Sequence, residues 1–197
     1  MKKIIVGFVF LLATVGFAMA EGYKIGDKVE DFNLKDVDGK YIGMKDFPDA
    51  KGFILVFSCN HCPYVKSNEE RMIALSNEFQ DKGYPLIAIN AMNPSVYPDD
   101  SFENMVKNAE EKSFPFKYVI DEGQKVYPVY GATKTPEVFV VQRQGDNLVL
   151  MYHGAIDDNT ENADKVKTHY TADAVNALLE GKEVPETKTK AIGCTIK

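Results

Sequence analysis

Two cysteines separated by two residues form the stretch of this sequence best suited to chemistry. Cys59 and Cys62 follow the apolar run 53–57 and precede a segment in which apolar residues recur at helical spacing. A buried strand that leads into a helix would bring both sulfurs within one helical turn. It would also set Cys59 at the helix N-terminus, where unpaired N–H groups and the macrodipole favour a thiolate. The spacing therefore predicts thiol chemistry at the junction of a strand and a helix.

The same spacing also occurs in zinc half-sites and in structural disulfides. A closed zinc site needs about four ligands, and His153, His169 and Cys194 do not have the spacing of a second half-site. A disulfide within the motif would close so short a loop that it would hardly constrain the unfolded chain. We therefore interpret the pair as a redox couple, in which Cys59 attacks a substrate disulfide and Cys62 resolves the mixed disulfide.

The residues beside the two cysteines are expected to tune the site and to shape its substrate groove. A protonated imidazole at His61 would lower the pKa of the Cys59 thiol and make the oxidised pair a stronger oxidant. A solvated histidine with no electronic role is the alternative. Asn60 and Pro63 are expected in the groove, and a proline in the first helical turn has no intrahelical hydrogen bond to lose. The sequence leaves the direction of electron flow open.

A third cysteine lies far from this pair. The sequence has three cysteines, so a framework of two structural disulfides is excluded. Cys194 stands next to Gly193 in a polar C-terminal tail that begins at about residue 182 and has no readable period. Three roles are open for it: a third redox thiol that reaches the pair, a site for an intermolecular disulfide, or a small buried hydrophobic residue.

The first twenty residues are typical of a cleaved secretory signal peptide. Lys2 and Lys3 precede the apolar run 4–17, and small residues follow it at 18–20, so we expect cleavage before Glu21. An uncleaved membrane anchor is the alternative, but the apolar run is short for a bilayer span of roughly 20 residues. We expect a periplasmic or secreted protein with no membrane span after cleavage, in a compartment where disulfides persist.

The mature chain, residues 21–197, has the size of a single domain. Without Lys2 and Lys3 it carries 21 basic and 29 acidic residues, a formal net charge of −8. This acidic balance argues against a nucleic-acid partner.

Strands and helices alternate along the mature chain, which is the pattern of an α/β sheet. The Asp38-Gly39 turn predicts a short N-terminal hairpin, and Asp100 followed by Glu103 predicts a capping box at the start of an inserted helix. The expected architecture is a central mixed sheet flanked by helices, with the cysteines at the carboxyl end of its main strand. The predicted strands cover residues 53–57, 86–89, 117–120, 137–141 and 148–153, and the predicted helices cover residues 63–82, 100–113, 124–130 and 166–180.

A second segment gives the chain a family resemblance. Residues 130–136, Tyr-Gly-Ala-Thr-Lys-Thr-Pro, lead into an apolar strand. Together with the strand, the CxxC pair and the helix, they resemble the thioredoxin-fold superfamily, in which a cis-proline faces the dithiol. The resemblance implies a thioredoxin-like fold and a cis Thr135–Pro136 bond. It also implies that the backbone at Thr135 pairs with a substrate peptide beside Cys59.

A closer resemblance extends over nearly all of the mature chain. The CNHCPYVK, YPDDSFE, GAIDDN and GCTIK segments at residues 59–66, 97–103, 154–159 and 193–197 are similar to a bacterial group of redoxin-domain proteins related to peroxiredoxins and to TlpA-type thiol oxidoreductases. The resemblance implies the fold and says little about the substrate. From the cysteine pair and the N-terminal pattern we predict an exported thiol-disulfide oxidoreductase that acts on protein or small-molecule thiols and disulfides, with a redox partner protein and without a cofactor.

The chain departs from better-known relatives at several positions. Peroxiredoxins carry a proline and a threonine where this chain has Gly52 and Val56, so thiol peroxidase activity is the less favoured function. Thioredoxin has a tryptophan where this chain has Ser58, and a buried aspartate that has no counterpart between residues 52 and 58. Glu137, next to Pro136, is the candidate substitute for that acid, and a solvated glutamate at a strand start is the alternative.

A copper-binding module of the Sco type is the alternative from another functional class. Such modules combine a CxxxC pair with a distant histidine, and two thiolates with an imidazole suit copper. Cys59, Cys62 and His153 would be the ligands here. The two cysteines are separated by two residues rather than three, which argues against this function.

Overall fold

The structure is a computed structural model that describes residues 22–197. The predicted signal peptide, residues 1–20, lies outside the described residues. Within the described part, no helix has the length and apolar character needed to cross a bilayer. The strands are β1 (Lys28–Val29), β2 (Leu34–Asp36), β3 (Tyr41–Ile42), β4 (Gly52–Ser58), β5 (Leu86–Asn90), β6 (Lys117–Ile120), β7 (Lys134–Thr135), β8 (Glu137–Gln144), β9 (Asn147–Gly154) and β10 (Cys194–Thr195), and the α-helices are α1 (Pro63–Lys66), α2 (Glu69–Phe79), α3 (Phe102–Glu111), α4 (Tyr127–Tyr130) and α5 (Tyr170–Leu179).

The main sheet has eight strands in the order β1-β9-β8-β4-β5-β6-β2-β3. Strand β4 lies inside it, parallel to β5 and antiparallel to β8. All seven residues of β4 are buried, because one face packs on a cluster with Phe57 and the other on a cluster with Val56. Each large apolar side chain buried in this way contributes about 1.5–3 kcal/mol. The mixed α/β fold is confirmed, and its core fixes the strand that leads to the cysteines.

The N-terminal hairpin and the inserted helix also lie where the sequence predicts them. Strands β2 and β3 pair around the Asp38-Gly39 turn. Strand β2 also pairs antiparallel with β6, so the hairpin extends the sheet. Helix α3 lies between β5 and β6 along the chain. The predicted capping box is wrong in its first residue, because the Ser101 hydroxyl accepts the N–H of Asn104 and caps α3. Asp100 is thereby available for another contact.

The helix after the cysteines is shorter than the sequence pattern predicts. It divides into α1 and α2 at Ser67 and Asn68. The hydroxyl of Ser67 and the side-chain amide of Asn68 both donate to the carbonyl oxygens of Tyr64 and Thr160. Side-chain hydrogen bonds to the backbone compete with helix continuation, and here they tie the break to the loop after β9.

The C-terminal tail is ordered by the rest of the fold although its sequence has no period. The backbone N–H of Thr189 donates to the carbonyl of His153, and its hydroxyl accepts the N–H of Ala155. Further along, β10 pairs antiparallel with β7, and Cys194 stands opposite Thr135. The tail therefore crosses the end of the sheet where the first two cysteines lie.

Candidate functional site

Strand β4 and helix α1 position the first two cysteines. Cys59 follows the last residue of β4, and Cys62 is the N-cap residue of α1, whose first helical residue is the exposed Pro63. The sulfur of Cys59 accepts the backbone N–H groups of His61 and Cys62. Both cysteine side chains are nevertheless buried, with exposed fractions of 1% and 0%.

Thr135 contacts both sulfurs from the opposite side of the groove. Its hydroxyl lies 3.2 Å from the Sγ of Cys59, and its carbonyl oxygen lies 3.3 Å from the Sγ of Cys62. The Thr135–Pro136 peptide bond is cis, and both residues are buried. The threonine predicted for the substrate groove thus lies against both cysteines.

The disulfide in the structure joins Cys62 to Cys194, across 132 residues of sequence. The two Cα atoms are 6.1 Å apart, within the ordinary range for a disulfide, and Cys59 is a free thiol. The expected bond between Cys59 and Cys62 is therefore not the one present. The pairing of β10 with β7 explains the difference, because it brings Cys194 to Thr135, which already contacts Cys62.

The Cys59 thiol is not the stabilised thiolate that the motif predicts. Burial raises its pKa from 9.0 to about 11, and the negative charge of Asp100 acts in the same direction. Hydrogen bonds from Thr135 and from the backbone N–H groups of His61 and Cys62 lower the pKa by less. With the tail in place, Cys59 is therefore protonated at neutral pH.

His61 is held by a buried carboxylate that the sequence did not single out. Its Nδ1 bonds to the carboxylate of Asp100, and its ring stacks on Tyr97 with centroids 4.1 Å apart. Asp100 has no exposed surface and also accepts the backbone N–H of Asn60 at 2.5 Å. The side chain of His61 is only 20% exposed, so the histidine is not freely solvated, and its tuning of Cys59 stays a prediction. In the sequence, Asp100 resembles a helix cap within the resemblance segment 97–103, and neither pattern indicates a contact with His61.

Asn60 is engaged with the protein interior. Its side-chain oxygen accepts from the hydroxyl of Tyr118 at 2.9 Å and from the amide of Asn108 at 3.1 Å, and its own amide donates to the carbonyl of Asp99. The side chain is 8% exposed. These contacts fix the turn between the two cysteines, while the neighbouring Pro63 faces solvent.

Glu137 is buried and ionised, so the alternative of a solvated glutamate is wrong. One carboxylate oxygen accepts the backbone N–H groups of Thr133 and Lys134 at 2.7 and 2.8 Å, and the other bonds to the Nε2 of His153 at 2.6 Å. Burial alone would raise the pKa of Glu137, but these hydrogen bonds outweigh it and hold the pKa below its usual value. The carboxylate fixes the 133–136 loop that faces the cysteines.

Replacing Glu137 with glutamine should lower the free energy of unfolding at pH 7 by about 2 kcal/mol, because a buried carboxylate that is held by hydrogen bonds from Thr133, Lys134 and His153 is lost. A lowered folded-state pKa contributes stability that is present above the unfolded-state value of 4.5 and is lost as the pH falls through the folded-state value. Urea unfolding at pH 7 and at about pH 3 measures both effects. The exposed Glu78, which pairs with Lys82, provides the control Glu78→Gln, with an expected change below about 0.5 kcal/mol. An unchanged pH dependence in Glu137→Gln would contradict the assigned charge.

The copper ligands proposed from the sequence are not brought together. Nε2 of His153 is occupied by Glu137, and its ring stacks on Phe139, while Cys62 is in a disulfide. Among residues 22–197, the one group of three or more cysteine, histidine and carboxylate side chains whose donor atoms all lie within 4.8 Å of one another is Cys59, His61 and Asp100.

The peroxide-binding positions are also part of the core. Gly52 is buried, and a Cβ there would lie 2.3 Å from the ring of Tyr84 and from the carbonyl of Val141. Val56 is fully buried on the opposite side of the sheet from Phe57. Neither residue offers a polar group to a peroxide.

The order of the sheet and the location of the cysteines at the end of its inner strand are those of a thioredoxin-fold protein. Sequence comparison then gives the family. Residues 25–146 match the AhpC/TSA family, and the chain belongs to it.

Two of the following relatives are named for thiol-disulfide chemistry, and one is uncharacterized. Thiol-disulfide oxidoreductase ResA of Bacillus thuringiensis subsp. konkukian is 29% identical over an alignment of 142 residues, and the match covers 68% of this chain and 78% of the relative. The crystal structure of an uncharacterized conserved protein from Geobacillus kaustophilus superimposes on this chain with a TM-score of 0.81. The two sequences are 38% identical, and the match covers 88% of this chain and 92% of that one. The putative thiol:disulfide interchange protein DsbE from Chlorobium tepidum shares the fold at 20% identity, with a TM-score of 0.60 over 79% and 98% of the two chains.

Proposed function

We propose that this chain is an exported thiol-disulfide oxidoreductase in which Cys59 attacks a substrate disulfide and Cys62 resolves the product. The observation that carries the proposal is the contact of both sulfurs with Thr135, beside the cis-proline Pro136. A peptide strand that paired with the backbone of Thr135 would present its own sulfur to Cys59. The naming of curated relatives as thiol-disulfide oxidoreductases supports the same activity.

The reaction needs only the thiols of the chain and of its substrate. The Cys59 thiolate attacks one sulfur of a substrate disulfide, forms a mixed disulfide and releases the other sulfur as a thiolate that takes up a proton. The Cys62 thiolate then attacks the sulfur of Cys59, forms the Cys59–Cys62 disulfide and releases the second substrate thiol. Two electrons pass from the protein to the substrate, and a dithiol of a redox partner, which is itself oxidised to a disulfide, must return them.

Export is supported by the amino-terminal pattern of residues 1–20 and by the disulfide chemistry of the mature chain. A disulfide such as Cys62–Cys194 persists in the periplasm or outside the cell and is rare in a reducing cytosol. Peroxide reduction is a less favourable function for this site, because Gly52 and Val56 provide no peroxide-binding group.

Variants that keep a single cysteine test the assignment of Cys59. In Cys62→Ser/Cys194→Ser, only Cys59 remains, and a mixed disulfide that forms with oxidised glutathione cannot be resolved. In the matched control Cys59→Ser/Cys62→Ser, only Cys194 remains. Mass spectrometry over time should show the glutathione adduct forming at least about tenfold faster on Cys59, since the Thr135 hydroxyl and the backbone N–H groups of His61 and Cys62 favour its thiolate once the tail is unbonded. Equal rates would contradict the assignment.

A further inference from the structure

The last five residues of the chain lie on the backbone expected to receive the substrate. In addition to the pairing of Cys194 with Thr135, the N–H of Ile196 donates to the carbonyl of Thr133 at 3.1 Å. Ile196 is 8% exposed and belongs to the same buried cluster as Cys59 and Cys62. The tail is therefore docked by main-chain pairing and by an apolar anchor, in addition to its disulfide.

The chain terminus is held as well. The carbonyl oxygen of Lys197 accepts the backbone N–H of Asn93 at 2.9 Å and the side-chain amide of Gln124 at 3.0 Å. The ammonium group of Lys134 donates to the hydroxyl of Thr195 at 2.8 Å. These contacts fix the register of β10, so that the sulfur of Cys194 arrives at Cys62.

Gly193 sets how closely the tail approaches the groove. A Cβ at this position would lie 2.1 Å from the carbonyl oxygen of Thr135 and 3.2 Å from the nitrogen of Pro136. Since a real Cβ essentially never comes within 3.0 Å of another heavy atom, as it would here at the Thr135 carbonyl, only glycine allows the tail to pass over the Thr135–Pro136 bond in this way. A substitution at Gly193 should therefore prevent the tail from docking.

A docked tail and a bound substrate strand exclude each other. Strand β7 pairs with β10 in the structure, so the backbone of Thr135 has already used the edge that a substrate strand would need. The sulfurs of Cys59 and Cys62 both contact Thr135, and Cys194 is bonded to Cys62. The sulfurs of all three cysteines thus converge on one residue of the groove.

We propose that Cys194 is a third redox residue, which takes over the disulfide from the Cys59–Cys62 pair and closes the substrate groove with the tail. The proposal rests on the proposed oxidoreductase function. After a substrate has been reduced, the Cys194 thiolate attacks the sulfur of Cys62. The Cys62–Cys194 bond forms, the Cys59–Cys62 bond breaks, and Cys59 leaves as a thiolate that takes up a proton.

The net reaction of this cycle balances. One substrate disulfide becomes two thiols, and the thiols of Cys62 and Cys194 become one disulfide, while Cys59 returns to its thiol form. An external dithiol, the class of reductant that the cycle requires, then reduces Cys62–Cys194 and releases the tail. The observed pairing, with a free Cys59 beside a Cys62–Cys194 bond, is the end state of this sequence.

Disulfide mapping after a single turnover tests the proposal. The fully reduced protein is mixed with one equivalent of oxidised glutathione, quenched with acid and alkylated, and its disulfides are mapped by mass spectrometry. The wild type should end mainly as Cys62–Cys194 with Cys59 free. Gly193→Ala, whose tail cannot dock, should end mainly as Cys59–Cys62 with Cys194 free. The matched control Ile192→Ala changes a neighbouring side chain that is 50% exposed and should behave as the wild type.

The outcomes separate this proposal from the proposed function. Wild-type protein that ends as Cys59–Cys62 with a free Cys194 would overturn the third redox role while leaving the oxidoreductase intact. Wild-type protein that forms no disulfide and releases no reduced glutathione would overturn the oxidoreductase itself. Cys194→Ser, which keeps Gly193 but lacks the third thiol, should stop at Cys59–Cys62. If it instead forms no disulfide, Cys194 acts in the first step and the proposed order is wrong.

Discussion

The thiol of Cys59 should react with iodoacetamide about a hundredfold more slowly in the Cys62–Cys194 form than after that disulfide has been reduced. Alkylation requires the thiolate, and burial raises the pKa of Cys59 from 9.0 to about 11. Two pKa units lower the thiolate fraction at neutral pH by about a hundredfold. Reduction frees the tail, whose Ile196 packs in the cluster that buries Cys59. Peptide mass spectrometry after timed alkylation measures the rate at Cys59 itself.

The alkylation rate of Cys59 should depend on pH differently in the disulfide form and in the reduced form. In the Cys62–Cys194 form, the alkylation rate should keep rising about tenfold per pH unit up to about pH 10, because the pKa of Cys59 stays above that range. In the reduced form, the rate should level off near the ordinary thiol pKa of 9.0. The Cys62–Cys194 form unfolded in urea is the control and should react at an ordinary rate. Equal rates in the two folded forms would show that the docked tail does not protect Cys59.

The main features of the fold follow from local sequence signals. The alternation of apolar strands and helices predicts the mixed sheet, and the Asp38-Gly39 turn predicts the hairpin that β2 and β3 form. The apolar run that predicts β4 belongs to a strand buried on both faces. Signals of this kind are contained in a few neighbouring residues, so they can be read without knowledge of distant contacts.

The features that escaped prediction depend on contacts between distant residues. Strand β10 has two residues, too few for a hydrophobic period, and it forms because β7 offers an unpaired edge. The partner of Cys62 lies 132 residues away and cannot be deduced from spacing. Asp100 looks like a helix cap in sequence, but the cap is Ser101, and the carboxylate turns to His61.

The pKa of Cys59 was predicted in the wrong direction for the same reason. A CxxC motif at a helix start indicates a stabilised thiolate, and the backbone N–H groups of His61 and Cys62 do act in that direction. The larger effect is burial, in a cluster that also contains Ile196 of the tail, which the motif does not include. Local sequence therefore specified the favourable hydrogen bonds and missed the desolvation that outweighs them.

Replacing Cys59 with serine should slow the first turnover of insulin disulfide reduction by at least about a thousandfold. A serine hydroxyl stays protonated at neutral pH and cannot form the mixed disulfide, so the variant loses the attacking group itself. Serine retains a hydroxyl that can replace the thiol in its 3.2 Å contact with Thr135, so we expect the fold to be unchanged by circular dichroism. Stopped-flow or quenched-flow measurement on fully reduced protein isolates the first turnover.

The matched control is Cys194→Ser, which should keep the first turnover within about twofold of the wild type, because Cys194 acts after substrate has left. A comparison of the two variants distinguishes the attack of Cys59 on the substrate from the later closing of the groove by Cys194. A loss confined to Cys59→Ser assigns attack to Cys59, since Cys62 and Cys194 are both present as thiols in that variant. If Cys59→Ser instead retained most of the activity, one of those two thiols would be the nucleophile, and the contact of Cys59 with Thr135 would have a structural role only.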